Sequence, residues 1–126
     1  MRRRRLTPEE LARFDHVPEA LTRDVRLVEV PVLAPGADAM TLGHTVLMRR
    51  GHAASQRLLA HELVHVQQWS QLGVAGFLRR YLVAYAKNLI RLRNHHAAYL
   101  AIPLEEEARE RARRWAESHR ERTPDG

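Results

Sequence analysis

The sequence predicts an α+β domain that is mostly helical, in which a small β-hairpin or sheet packs on one helix. β-Branched residues are concentrated in two short segments, 25–32 and 41–48, as is typical of strands. Most of the remaining chain consists of good helix formers, with apolar residues three and four positions apart. The chain has 126 residues, which is enough for a single core. We expect one domain with its core at about 7–120 and with flexible ends at 1–6 and 123–126.

The first helix is predicted by its capping residues. Thr7 is placed as the N-cap, Pro8 takes the first helical position, and Glu10 completes a capping box. Because Pro18 cannot continue a helix, we expect this helix to end close to it.

Two extended segments follow the first helix. In segment 25–32, Pro31 cannot donate a ladder hydrogen bond, so this strand should lie at an edge or end there. Pro35 and Gly36 predict a turn, and segment 41–48 predicts the second strand. A pair of strands is not stable alone, so a helix must cover it.

Three further helical segments complete the chain. Segment 53–69 has no Pro or Gly and carries an apolar stripe, Gly73 should end or bend it, and the last helix begins at Pro103. Segment 74–92 has apolar residues at helical spacing, which we expect to pack on the core. They are Phe77, Leu78, Tyr81, Leu82, Tyr85, Leu89 and Leu92.

The composition limits the function classes. The chain has no cysteine, which excludes disulfides, Cys-ligated zinc and thiol nucleophiles. The net charge is +6, with 20 Arg and one Lys, a ratio that indicates coding bias, so we do not expect a nucleic-acid partner. No signal peptide or membrane span is predicted, which favours the cytoplasm. The basic side of 74–92 also fits a helix at a membrane surface, but a helix covering a core fits equally, and we prefer the latter.

The chemistry of the chain is concentrated in the motif HExxH at 61–65. On a helix, His61 and His65 lie on one face, where both imidazoles can reach one zinc ion. Glu62 stands beside them as a general base. We therefore predict one Zn²⁺ per chain.

Glu105 is the predicted third metal ligand. Three consecutive glutamates occur at 105–107, and about 100° of rotation per residue separates their directions on a helix. Ala108, Ala112 and Trp115 define the buried side of that helix, and Glu105 falls on the same side. Glu106 and Glu107 should instead point to solvent or to arginines.

These motifs resemble those of a known family. The helix HELxHVxQ of small bacterial zincin-like domains is similar to HELVHVQQW at 61–69. The stretch Pro-x-Glu-x-Glu-Ala, which follows in many of them, is similar to PLEEEA at 103–108. EEEA at 105–108 also fits the ExxA of the glutamate-zincins, in which the first Glu is a zinc ligand. TLGHTV at 41–46 resembles the strand that precedes the active helix.

The resemblance implies a minimal metallopeptidase-like fold and a zinc metallopeptidase function. Peptide bonds would be hydrolysed by zinc-activated water, with Glu62 as the general base. One departure is Arg109, where these peptidases usually have Asp after ExxA. The alternative is a zinc-binding protein-interaction module with weak or no catalysis.

Several further residues are candidates for supporting roles. Tyr99, His95 and His96 are candidates for stabilising the oxyanion, and Gln68 for orienting a ligand histidine. A peptide or protein substrate should pair along an edge strand. The residues of that predicted strand are Thr41, Leu42, Gly43, His44, Thr45 and Val46.

Overall fold

A computed structural model describes residues 2–33, 37–51 and 55–122. It is mostly helical, with a small four-stranded sheet packed against the helices, which confirms the α+β class. The elements in chain order are β1 (Arg2–Arg5), α1 (Pro8–Arg13), α2 (Glu19–Thr22), β2 (Arg26–Val30), β3 (Ala39–Leu42), β4 (Thr45–Arg49), α3 (Gln56–Leu92), α4 (His95–Leu100) and α5 (Pro103–Arg122). The predicted turn at Pro35 and Gly36, the first residues of the helix predicted from 53, and the tail 123–126 lie outside the described residues.

The sheet has the strand order β1-β2-β4-β3. β2 and β4 are parallel, whereas β1 and β3 are antiparallel to their neighbours. Segment 41–48, predicted as one strand, folds as the hairpin β3–β4, because Gly43 adopts a φ of 63° and closes a tight turn. As a result β4 is an inner strand and β3 lies at the edge. Pro31 follows the last residue of β2, where no ladder hydrogen bond is required of it.

The N-terminal arginines form a strand. The prediction that residues 1–6 are flexible is wrong for Arg2–Arg5, which pair with β2 as β1. The Arg4 guanidinium also donates to both carboxylate oxygens of Glu10, at 2.5 and 3.0 Å. The same Glu10 completes the predicted capping box with Thr7, so one carboxylate ties β1 to the start of α1. The helix ends at Arg13, earlier than its sequence predicts.

The core lies between the sheet, the first half of α3 and α5. Leu63, Val64 and Val66 of α3 are fully buried, and α5 contributes Ala108, Ala112 and Trp115. Strands β2 and β4 contribute their inward-facing residues. This arrangement holds α3 and α5 side by side, with their buried faces in contact.

Helix α3 is interrupted at Gly73, where φ is 73° and ψ is 169°. The bend predicted at Gly73 is therefore confirmed. Beyond it, α3 packs with the short helix α4, for example through the Asn88 side-chain amide, which donates to the Ala98 carbonyl at 3.2 Å.

The second half of α3 does not cover the core as its sequence predicts. Phe77 is buried, but the other aliphatic residues of the predicted apolar side are largely exposed, because α4 has only six residues and covers one side of α3. Tyr81 and Tyr85 are half-buried and use their hydroxyls in hydrogen bonds. Among the described helices, none is both long and apolar enough to cross a membrane.

Candidate metal centre

Three predicted ligand side chains meet between α3 and α5. His61 and His65 project from consecutive turns of α3, and Glu105 projects from the first turn of α5. The Nε2 atoms of both histidines lie 3.0 Å from the same oxygen, Oε1 of Glu105. Glu105 is only 4% exposed, so it faces the core as its position on the helix predicts. The roles of these side chains as ligands stay predictions.

The donor set fits a zinc ion. One ligand atom from each of His61, His65 and Glu105 can be chosen so that all three lie within 4.8 Å of one another. Two imidazole nitrogens and one carboxylate oxygen are a set that catalytic zinc sites use, with a further position left for water or substrate. Zn–N and Zn–O bonds are about 2.0–2.2 Å long, so an ion can contact all three atoms after small side-chain adjustments.

The protonation of His65 is set by Gln68. The Gln68 amide nitrogen donates to the Leu104 carbonyl at 3.0 Å and to Glu107 at 2.6 Å, so the amide oxygen faces His65. Nδ1 of His65 donates to that oxygen at 2.7 Å. In a neutral imidazole, Nε2 then carries a lone pair, and this lone pair faces the Glu105 oxygen. Two facing acceptors require a cation between them, which is either a proton or a metal ion.

The charge of Glu105 is held by its surroundings. The Tyr81 hydroxyl donates to Oε2 of Glu105 at 2.8 Å, on the side away from the histidines. Burial alone would raise the pKa of Glu105, but its hydrogen bonds to His61, His65 and Tyr81 outweigh burial and lower it. Glu105 is therefore a carboxylate at neutral pH, the form in which it binds metals.

Burial and Glu105 act in opposite directions on His65. Burial would lower the pKa of His65, whereas the hydrogen bond to Glu105 and its charge raise it, and the net direction is upward. A site without metal therefore favours a proton at the position where the donor set would hold an ion.

Glu62 lies beside the ligands and is held by the edge strand. The Thr41 hydroxyl of β3 lies 2.9 Å from Oε1 of Glu62, to which it donates. The Trp69 indole N–H donates to the Thr41 carbonyl at 3.2 Å, so α3 and β3 are joined at this residue. The other Glu62 oxygen is 3.9 Å from His61 Nε2. Burial raises the pKa of Glu62, although the nearby histidines and Thr41 act in the opposite direction.

A cavity of about 850 Å³ opens above these residues. β3 lines one side and the second half of α3, with α4, lines the other. All three candidates for stabilising an oxyanion, His95, His96 and Tyr99, line it. The Tyr85 hydroxyl already contacts Nδ1 of His95. Burial and the Glu105 charge raise the pKa of Tyr99, so its phenol stays protonated and can donate.

The predicted substrate strand needs a correction. Residues 41–46 are not one edge strand, because the chain reverses at Gly43 and His44. Thr45 and Val46 begin β4, which pairs with strands on both sides. The edge of the sheet nearest the site is β3, Ala39–Leu42, in which Thr41 is buried and Leu42 is exposed.

Three residues of the site have roles that the sequence did not indicate. Tyr81 was predicted as core, Glu107 as solvent-facing, and Thr41 only as part of a substrate strand. Their contacts to Glu105, Gln68 and Glu62 depend on how separate elements pack, so no local spacing could have identified them.

Comparison with known proteins covers part of the chain. Residues 22–73 match the family model described as the eCIS core domain, the core domain of extracellular contractile injection systems. The matched segment is less than half of the chain. It contains β2, β3, β4 and α3 as far as Gly73, and so includes the HExxH motif but not Glu105. No zincin or metallopeptidase family is shown. No curated protein and no solved structure matches the chain.

Proposed function

We propose that this domain is a zinc-dependent metallopeptidase. The observation that carries the proposal is the convergence of His61, His65 and Glu105 beneath an open cavity, with the Glu62 carboxylate beside them. This is the arrangement that metal-assisted hydrolysis requires: three protein ligands, a neighbouring base, and space for a substrate.

Each side chain has a defined task in this proposal. His61, His65 and Glu105 hold the ion, and Gln68 orients His65 through its Nδ1. A bound zinc ion supplies Lewis acidity, which polarises a carbonyl group and lowers the pKa of water. Glu62 accepts the proton of the attacking water and delivers it to the leaving amine.

The cavity walls suggest how a peptide is held. β3 offers the edge of a sheet, along which an extended peptide can pair. Tyr99 stands on the opposite wall as a protonated donor for the developing oxyanion. The Tyr81 hydroxyl is less suited to this task because it already donates to Glu105.

The first experiment measures zinc per chain and peptidase activity on the same preparations. We expect about one zinc in the wild type and in Glu62→Gln, and clear loss in Glu105→Ala. With a quenched peptide library as substrate, Glu62→Gln should reduce the rate by about a hundredfold or more, because the base is lost while the metal stays. Glu106→Ala is the matched control, since Glu106 is exposed on the same turn, and it should change neither quantity. A Glu62→Gln protein with full zinc and undiminished activity would refute the mechanism.

A second candidate is a zinc-binding module that acts by protein interaction. The match to the eCIS core domain favours it, because that family belongs to multi-protein assemblies, and so does the Arg109 departure. Under this candidate Glu62→Gln has no functional effect, whereas His61→Ala lowers the melting temperature because the metal stabilises the fold. Zinc bound without any peptidase activity in the wild type would favour this candidate.

A further inference from the structure

The second half of α3 presents an exposed face of unusual composition. Between 74 and 92, every exposed residue is either aliphatic or cationic. The aliphatic residues are Val74, Ala75, Leu78, Leu82, Val83, Ala86, Leu89, Ile90 and Leu92, and the cations are Arg79, Arg80, Lys87 and Arg91. We call these thirteen residues the apolar–basic face. The uncharged polar residues of the segment, Tyr81, Tyr85 and Asn88, are half-buried on the other side.

The aliphatic residues are strongly exposed. Ile90 is 77% exposed, Val74 is 64% and Leu82 is 58%. With about 100° per residue, the large aliphatic side chains span roughly half of the helix circumference, and Arg80, Lys87 and Arg91 follow within a narrow arc beside them. The segment is therefore an amphipathic helix whose apolar side is not covered by the described part of the chain.

The charge around this face indicates what can cover it. No acidic residue occurs from 63 to 104, whereas this stretch has five cations. A second copy of the chain would bring like charges together, which disfavours self-association through this face. The partner must therefore be negatively charged.

The composition of the face distinguishes a lipid surface from a protein. The centres of protein interfaces are enriched in aromatic residues and Met, and interfaces carry about one hydrogen bond per 100–200 Å². The exposed face has no aromatic residue, no Met and no uncharged polar side chain. Aliphatic residues flanked by Arg and Lys are typical of helices that lie in the membrane interface.

We propose that the apolar–basic face binds the surface of an anionic lipid bilayer. Ile90, Leu82 and their aliphatic neighbours enter the boundary between headgroups and acyl chains. Arg80, Lys87 and Arg91 reach the phosphates of the headgroups, because their long side chains can extend from the side of the helix. This proposal does not depend on zinc or on catalysis.

The face adjoins the cavity of the candidate site. Leu78 and Leu82 belong to the face and also line the cavity. A domain bound in this way holds the mouth of the cavity close to the bilayer, so a substrate at the membrane surface would reach the site first.

The test is flotation of the full chain with vesicles. We expect the wild type to float with vesicles of phosphatidylcholine and phosphatidylglycerol, not with pure phosphatidylcholine, and to bind less as the salt concentration rises. Arg80→Gln with Lys87→Gln should weaken partition by about thirtyfold, and Leu82→Ser with Ile90→Ser should also weaken it strongly. Matched controls are Val32→Ser, at an exposed apolar residue elsewhere, and Arg13→Gln with Arg26→Gln, which should all bind like the wild type.

Other outcomes overturn the proposal. They are no binding of the wild type to anionic vesicles, equal binding by the face variants, and equal loss in the controls. If the wild type ignores vesicles but binds a synthetic acidic amphipathic helix, and Leu82→Ser with Ile90→Ser abolishes that binding, the face belongs to a protein partner. A concentration-dependent dimer that the same substitutions dissociate would assign it to a second copy. Circular dichroism of each variant confirms that it is folded.

Discussion

The imidazole of His16 is kept neutral by its surroundings. Its Nε2–H donates to the Ala60 carbonyl at 2.9 Å, while its Nδ1 is buried without a hydrogen-bond partner. Protonation would place an N–H at Nδ1 that nothing accepts. Burial accordingly lowers the pKa of His16 below its ordinary value of 6.5, and the hydrogen bond to Ala60 only partly opposes this. His16, expected from its sequence context to lie at the surface, thus belongs to the packing between the α1–α2 loop and α3.

His16 makes the stability of the domain depend on pH. The unfolded chain binds the proton more readily than the folded one, so this contribution is fully present above about pH 6.5 and is lost as pH falls towards the depressed folded pKa. We expect the free energy of unfolding to fall more steeply in the wild type than in His16→Gln between about pH 7.5 and pH 5.5, by up to about 1 kcal/mol. Urea denaturation at several pH values measures this. His44→Gln, at an exposed histidine, should retain the wild-type slope, and parallel curves for wild type and His16→Gln would contradict the assignment.

Single residues also show where prediction from sequence succeeds. The inward direction of Glu105 follows from helical geometry, because Ala108, Ala112 and Trp115 mark the buried side of α5. Glu107 was assigned to solvent by the same geometry, yet it accepts a hydrogen bond from Gln68. Helical position gives a direction but not the reach of a flexible side chain from the next helix.

At the level of elements, Gly73 divides α3 into two functions. The residues before it carry HExxH and fill the core, and those after it form a cavity wall and the apolar–basic face. Its φ of 73° with ψ of 169° is a conformation that essentially only glycine adopts at low cost. The space around it is open, since a Cβ there would meet no atom within 4 Å.

We expect Gly73→Ala to destabilise the domain by about 1–3 kcal/mol, entirely through backbone strain. Gly76→Ala is the matched control in the same helix, because there a Cβ makes ordinary contact with Leu72 at 3.4 Å. Alanine is the better helix former, so Gly76→Ala should raise stability by up to about 1 kcal/mol. Thermal denaturation of both variants checks this. Equal effects of the two substitutions would show that the backbone at Gly73 is not strained by a side chain.

Elements were predicted well where local signals determine them. The capping box of Thr7 and Glu10 and the bend at Gly73 are both present. The strand β1 was missed, because four consecutive arginines show no strand pattern, and only pairing with β2 gives them that structure. The exposed side of 74–92 was assigned to the core, because an apolar stripe does not reveal whether anything lies against it.

At the scale of the whole molecule, the candidate site joins the two helices that build most of the core. Two of its ligand positions are on α3 and the third is on α5, so an ion held by all three crosslinks these helices. Binding to the folded state alone stabilises it by about 2.7 kcal/mol at a zinc concentration a hundred times the Kd.

We therefore expect zinc to raise the melting temperature of the wild type by about 10 °C, and a chelator to reverse the rise. Glu62→Gln should respond like the wild type, because Glu62 is not one of the three ligands. His61→Ala should show no response. Differential scanning calorimetry with and without zinc measures the shift. An unchanged wild-type melting temperature in both conditions would exclude a zinc site of useful affinity.

The segment that separates His65 from Glu105 along the chain also contains the apolar–basic face. It carries Tyr81, whose hydroxyl donates to Glu105, on the same helix as Leu82 and Ile90. Two binding events that share one structural segment are thermodynamically linked, and the linkage is reciprocal. Whatever factor a bound surface applies to the zinc affinity, zinc applies the same factor to the affinity for that surface. The single helix beyond Gly73 thus makes the site and the face two ends of one equilibrium.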